Sequence, residues 1–303
     1  MVDEADIGRF LQAHFHPDAA RVRPAGAGMF ARVFAFDAEN RSYVIRINAH
    51  RIDFQKDAFA ERYFASPALP VPRILRMGPF DETHYYAISE ACAGLNLDQM
   101  DKSAVRRLVP CLFDALDAIH CVDASGYDGW GLADANGRGL FTCWDDCILS
   151  LHNQKFDFDW NALMRETFLE CAVYKAYLDE MRGLLRYCPT EKYLIHGDYG
   201  FKNVMSDGER ITGVLDWAEF GWGDYLYDVA YLDFWSEDIP YGALWLEHAH
   251  AQGRAVPHFA ERMKCYQLNT ALGDMAIAAF HNDEVQYRWS RERVKRLWGV
   301  TTG

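Results

Sequence analysis

The residues best suited to chemistry lie between His196 and Asp216. The run is His196-Gly-Asp198-Tyr-Gly-Phe-Lys-Asn203, and thirteen residues later Asp216 ends an apolar, strand-like stretch in Val-Leu-Asp-Trp. Phosphoryl transfer needs a partner for the acceptor hydroxyl and hard oxygen ligands for Mg²⁺, which neutralises phosphate charge. An H-x-D-x-x-x-x-N loop followed by one hairpin supplies both. Asp198 then faces the hydroxyl as the catalytic residue, and Asn203 and Asp216 hold the metal. Single H-x-D triplets are common by chance in solvated surface loops; the whole constellation with its hairpin is much rarer.

The same chemistry demands a cation on an earlier strand to meet the α- and β-phosphates, and an acid on the following helix to hold that cation. The strand is Tyr43-Val-Ile-Arg46-Ile, so the cation is Arg46 rather than the usual Lys. Asp57, eleven residues later, is the best partner, and Glu61 is its rival. A longer cation facing a shorter acid spans a similar gap, and Arg keeps its charge and contacts phosphate bidentately. The alternative is an ordinary surface Arg. Glycines 26 and 28 could let backbone N–H groups approach phosphates, with Gly28 the nucleotide-binding candidate, although a simple turn explains them equally. Lys202 could touch the γ-phosphate or simply face solvent. His196 is expected to pack beneath the loop, and Asp228 to anchor a helix to it.

These groups need elements to position them. An amphipathic helix opens the chain, and a hairpin spans 24–48 around the turn-rich Asp37-Ala-Glu-Asn40. Residues 53–65 have helical composition and end before Pro67. Strands near 73–77 and 84–89 complete a five-stranded antiparallel sheet. Val105, Leu108, Leu112, Leu116 and Ile119 recur at helical spacing across 101–120, with Pro110 as an irregularity. Residues 125–142 read as loop, 143–152 and 159–187 as helix, and 193–197, 203–207 and 211–217 as strands, with a hairpin turn at 206–209. The chain from Asp224 to Trp298 reads as mostly helical. The expectation is an α+β fold of two lobes: a nucleotide-binding lobe over 1–93 ending in a hinge, and a helical lobe over 94–303 carrying the catalytic loop and acceptor site. At 303 residues two lobes are a reasonable prior.

Charge narrows the partners. The chain has 31 Lys+Arg against 44 Asp+Glu, a net charge of −13. Residues 1–93 carry 11 bases and 12 acids, so 94–303 carry 20 and 32, a net of −12. That field repels nucleic acid and attracts metal ions or polycationic small molecules. No stretch approaches the roughly 18 apolar residues of a membrane helix. The acidic N-terminus lacks the pattern of a signal peptide, so a cytoplasmic, membrane-free monomer is expected. Eight scattered cysteines read as buried, reduced thiols; Cys143 and Cys147 with His152 match no common zinc spacing.

At this point a likeness emerges. HGDYGFKN, the VLDWAEFGWGD ending at Asp224 and YDVA at 227–230 resemble the aminoglycoside phosphotransferase family, whose members share a protein-kinase-like fold. The likeness is greatest to its hygromycin B-modifying members and extends to YVIRIN (43–48), Lys56-Asp57, residues 64–75 and the hairpin 211–219. It implies that Asp198 is the acid-base residue, that Asn203 and Asp216 hold Mg²⁺, and that Arg46 and Asp57 form the phosphate-binding pair. It also makes the backbone of Ser89, Glu90 and Ala91 the hinge for the base of ATP or GTP. Phe201 and Lys202 depart from the small polar residues expected there.

For the acceptor, an anionic wall on the C-terminal helices suits a cationic, hydroxylated molecule. The candidates are Glu219, Asp224, Asp233, Glu237, Asp238 and Asp274, with Trp235 as an apolar or cation-binding face. The implied activity is transfer of the γ-phosphate to an antibiotic of the hygromycin B type. The rivals are a kinase for a macrolide, choline or a sugar, a silent nucleotide-binding relative, and a binding module for cationic drugs.

Overall fold

The computed structural model describes residues 3–27, 31–151 and 158–299. The chain forms two compact units and passes between them several times: Met1–Ile119, Asp134–Gly137 and Phe201–Glu219 make the first, and His120–Ala133, Arg138–Gly200 and Phe220–Gly303 the second.

The first unit is built on an antiparallel sheet. Its strands are β1 (Ala20–Ala27), β2 (Arg32–Ala38), β3 (Arg41–Asn48), β4 (Ile74–Pro79) and β5 (Tyr85–Glu90), in the order β1-β2-β3-β5-β4. Alternation along β2 and β3 turns Phe34, Phe36, Tyr43, Ile45 and Ile47 to one face. Helix α1 (Glu4–His14), started by a capping box between Asp3 and Asp6, covers that face with Ile7 and Leu11. Glu39 and Asn40 both take positive φ, the primed turn that matches strand twist. The five-stranded sheet is thus as expected, but Gly26, read as part of a turn or phosphate-approaching loop, lies in a strand. The backbone continues as β1 through Ala27; Pro24 is tolerated on this edge strand, and Gly26 (φ 134°) sits at a register shift.

Helix α2 (Arg51–Phe64) follows β3, and α3 (Lys102–His120) runs through Pro110. A second sheet joins β6 (Leu95–Asn96), β10 (Val204–Ser206) and β11 (Ile211–Val214) in the order β11-β10-β6. Gly94 enters this sheet at φ 93°, and a Cβ there would lie 1.9 Å from the carbonyl oxygen of Ser206. Only glycine fits.

The second unit holds β7 (Trp130–Ala133), β8 (Gly139–Phe141), β9 (Tyr193–Ile195) and β12 (Gly221–Gly223), ordered β8-β7-β12-β9. The span read as loop, 125–142, therefore contains two short strands, which its glycines obscured. The helices are α4 (Trp144–Ser150), α5 (Trp160–Glu166), α6 (Cys171–Leu184), α7 (Leu226–Phe234), α8 (Tyr241–Ala251), α9 (Phe259–Phe280) and α10 (Glu284–Trp298). The helix expected over 159–187 is interrupted at Thr167, whose hydroxyl donates to the Leu163 carbonyl and accepts from the Leu169 N–H. Helix α9 is buried on most of its circumference and packs against α6, α7 and α10. The architecture is α+β, with an N-terminal antiparallel sheet and a mainly helical C-terminal region. Among the described residues no helix is long and apolar enough to cross a membrane.

Candidate active site

In the first unit, strand alternation turns Arg46 away from the α1-covered face, and α2 brings Asp57 to it. The Arg46 guanidinium lies 2.5 Å from Asp57 Oδ2, with one-fifth of the Arg side chain exposed. Phe54 places its ring centroid 5.4 Å from the guanidinium carbon. Burial works against the Arg46 charge, but Asp57, then Asp216 and Asp53, outweigh it and raise the pKa above the ordinary Arg value. The other Asp57 oxygen accepts the Trp217 backbone N–H at 2.8 Å. One buried carboxylate thus joins the strand cation to the residue following Asp216.

The hairpin places the two metal-ligand candidates side by side. Val204 pairs with Val214, and the Leu215 N–H donates to the Asn203 carbonyl at 2.7 Å, so Asn203 and Asp216 sit at the same end of β10 and β11. Asp216 has φ 58°, a left-handed conformation that costs a non-glycine residue roughly 1–2 kcal/mol. Trp217 holds it there through its N–H to Asp57 and its Nε1–H to the Val214 carbonyl at 3.1 Å. Backbone strain beside an acid is characteristic of functional positions. Mg²⁺ takes one or two protein oxygens and leaves the rest to phosphate and water. This pair of hard oxygen donors fits that demand. Among the described residues no three His, Cys, Asp or Glu side chains gather into a metal cage.

Asp198 belongs to the second unit. Both Asp228 oxygens accept backbone N–H groups of the loop before it, from His196 at 2.8 Å and Gly197 at 2.9 Å. His120 Nε2 lies 3.3 Å from the same carboxylate. Asp228 therefore anchors α7 to the loop, the part expected of it. His196 is fully buried, and its Nδ1 accepts the Asp198 N–H at 3.3 Å. Nothing in the residue pattern pointed to His120. It lies 108 residues from Asp228, and only the fold brings them together.

The hinge candidates lie at the end of β5. Ser89 is buried within the sheet. The Glu90 N–H donates to the Arg73 carbonyl, the Ala91 N–H donates to the Ser42 carbonyl, and the Glu90 side chain pairs with Arg41. A cavity of about 560 Å³ adjoins this segment, with Pro67, Pro70, Arg73 and Arg210 among its lining residues; Arg46, Asp57, Asn203 and Asp216 do not line it. Gly28 lies outside the described residues, as does His152.

The acidic candidates disperse. Asp224 is fully buried, gripped by Arg262 Nε at 2.8 Å and by the Tyr266 hydroxyl at 2.6 Å. Asp233 accepts from the Gly242 N–H and from Gln267, and burial raises its carboxyl pKa above the ordinary range. Asp274 is occupied by Gln286 and Ser290. Glu237 and Asp238 are exposed, Glu237 pairing with Arg296, and Glu219 is half-buried. Trp235 stacks on Trp289, ring centroids 5.3 Å apart and planes 3° from parallel. The thiols are all free, yet only Cys265 is fully buried. Cys121, Cys143 and Cys171 are exposed, which corrects the expectation of uniformly buried cysteines; Cys143, for example, sits at the N-cap of α4.

Residues 21–262 match the family model described as the phosphotransferase enzyme family. Hygromycin-B 4-O-kinase from Escherichia coli is 32% identical over 268 residues, covering 88% of this chain and 77% of the relative. The crystal structure of aminoglycoside phosphotransferase APH(4)-Ia matches with a TM-score of 0.86 at 28% identity, over 99% of this chain and 100% of that one. A thermostable mutant of APH(4)-Ia, in ternary complex with AMP-PNP and hygromycin B, matches with a TM-score of 0.83 at 30% identity, over 96% and 97%.

Proposed function

The chain belongs to the phosphotransferase enzyme family, and from that premise we propose that it moves the γ-phosphoryl group of ATP or GTP onto a hydroxyl of an aminoglycoside-type acceptor such as hygromycin B. The observation that carries this reading is the arrangement at the end of the β10–β11 hairpin. There Asn203 and Asp216 share one edge, and Asp216 lies within the field of the Arg46–Asp57 pair. The similarity to a hygromycin-B 4-O-kinase and the excess of acids favour a cationic acceptor.

The roles follow from the groups. Arg46, held by Asp57, binds the α- and β-phosphates, and the Ser89–Ala91 segment borders the base. Bound by Asn203 and Asp216, Mg²⁺ would supply neutralisation of the phosphate oxygens. Asp198, five residues before Asn203 on the same loop, accepts a hydrogen bond from the acceptor hydroxyl and takes its proton late. With a loose transition state, alignment and electrostatics account for most of the acceleration. Among the acceptor candidates, Glu237 and Asp238 are exposed and Glu219 and Trp235 half-buried, and these four remain the candidates for substrate contact. Asp224, Asp233 and Asp274 already satisfy partners inside the fold.

A second reading rests on Lys202. Its side chain is exposed, and it adds a positive charge to the loop directly before Asn203. That favours a less cationic hydroxylated acceptor, such as a macrolide or a sugar. The deciding experiment measures Mg²⁺-dependent nucleotide consumption across an acceptor panel that includes hygromycin B, with product mass. Phosphorylated hygromycin B supports the first reading; turnover with a neutral acceptor alone transfers support to the second. Asp198→Ala is expected to lower kcat by about 10²–10⁴ while leaving nucleotide affinity in place. Comparable turnover in that variant removes Asp198 from its role.

A further inference from the structure

Strand β6 is only two residues long, yet its place is fixed from both ends. Gly94 lets the chain approach the Ser206 carbonyl, so β6 lies close along β10, with Leu95 opposite Ser206 and Asn96 opposite Met205. A 3₁₀ turn follows at once over Leu97–Gln99, and the Leu97 side chain is buried. This edge faces the turn at 201–203, which leads into β10 and ends on Asn203. Three successive carbonyls of that turn are each held by a donor. The Asp98 N–H donates to the Phe201 carbonyl at 3.3 Å, the Asn96 side-chain amide donates to the Lys202 carbonyl, and the Leu215 N–H donates to the Asn203 carbonyl at 2.7 Å. Two of the three donors are backbone groups, and the one side chain is Asn96. A carbonyl can only accept, so the NH₂ end of the Asn96 amide is the end that meets it.

We propose that Asn96 is a positioning residue for Asn203: by holding the Lys202 carbonyl it fixes the peptide that joins Lys202 to Asn203, and with it the direction in which the Asn203 side chain leaves the turn. This rests on the metal-holding role of Asn203 proposed above. The Lys202 carbonyl and the Asn203 N–H belong to one planar unit, so a donor on that oxygen restrains the backbone on the near side of the Asn203 Cα. The Leu215 bond restrains the peptide on the far side. With both flanking peptides held, the Cα–Cβ bond of Asn203 is aimed before any ion is bound. Groups one step behind a metal ligand set affinity in this way, by orienting the ligand rather than touching the ion.

The test is Asn96→Ala in the full chain, which removes the amide and leaves the backbone pairing of β6 with β10 in place. Titration calorimetry measures AMP-PNP binding with and without Mg²⁺, so that no turnover is involved, and Asn203→Ala is run in parallel. The expected result is that the gain in affinity on adding Mg²⁺ shrinks about fivefold, the scale of one neutral hydrogen bond. The Mg²⁺-free affinity stays at the wild-type value, and the thermal midpoint stays within about 2 °C of it. An undiminished Mg²⁺ effect overturns the inference, as does a loss shared by the Mg²⁺-free affinity or accompanied by a larger fall in the melting midpoint. If Asn203→Ala reduces the Mg²⁺ effect while Asn96→Ala does not, only the positioning role falls. If Asn203→Ala keeps the full Mg²⁺ effect, the metal role of Asn203 falls and this inference falls with it.

Discussion

The pair formed by Arg46 and Asp57 makes a quantitative prediction. Asp57→Ala removes the carboxylate nearest a guanidinium that is only one-fifth exposed, and it also leaves the Trp217 N–H without its acceptor. Breaking a buried ion pair from one side costs about 3–5 kcal/mol, and orphaning a buried donor about 1–3 kcal/mol. Partial exposure of Arg46 and the remaining attraction of Asp216 reduce the first figure. A total near 3 kcal/mol, or a melting-point drop of about 6 °C, is the expected outcome. Asp57→Asn keeps an oxygen for Trp217 and should lose less. The decisive assay is a double-mutant cycle of Arg46→Met and Asp57→Ala by urea denaturation, with an expected coupling of about 1–3 kcal/mol. A coupling indistinguishable from zero would falsify the view that Asp57 exists to hold Arg46.

Two further outcomes test other parts of the fold. Gly94→Ala drives a methyl group into the Ser206 backbone at a positive φ, and should cost at least ~3 kcal/mol in thermal or urea unfolding; wild-type stability would show that the Gly94 approach is not tight. Burial pushes the Cys92 thiol up to about 11 and that of Cys147 to about 12. At pH 8 roughly one Cys92 thiol in a thousand is ionised, so iodoacetamide labelling followed by mass spectrometry should mark Cys121, Cys143 and Cys171 long before Cys92 or Cys147. Equal labelling rates would contradict the burial argument.

The sequence disclosed those parts of the structure that repeat a local pattern. Alternating Phe34, Phe36, Tyr43, Ile45 and Ile47 announced two strands, and the Asp-Gly turn at Asp207 announced the hairpin that brings Asn203 beside Asp216. Strand β1 escaped because Pro24 and Gly26 are poor strand formers, tolerated on an edge with bulges. Strands β7, β8 and β12 escaped because each has four residues or fewer and is glycine-bearing. The buried cluster of Asp224, Arg262 and Tyr266 could not be read either: Asp224 lies 38 and 42 residues from its two partners, and composition presented it only as one more acid.

The Asp228 clamp also governs when the motif at 196–203 can take its shape. Its restraints come from a carboxylate 31 and 32 residues downstream, so in a nascent chain the motif emerges before the group that organises it. An excised peptide bearing the same letters would lack that restraint. Asparagine at 228 would be a poor stand-in, since its amide offers one accepting oxygen to two N–H donors.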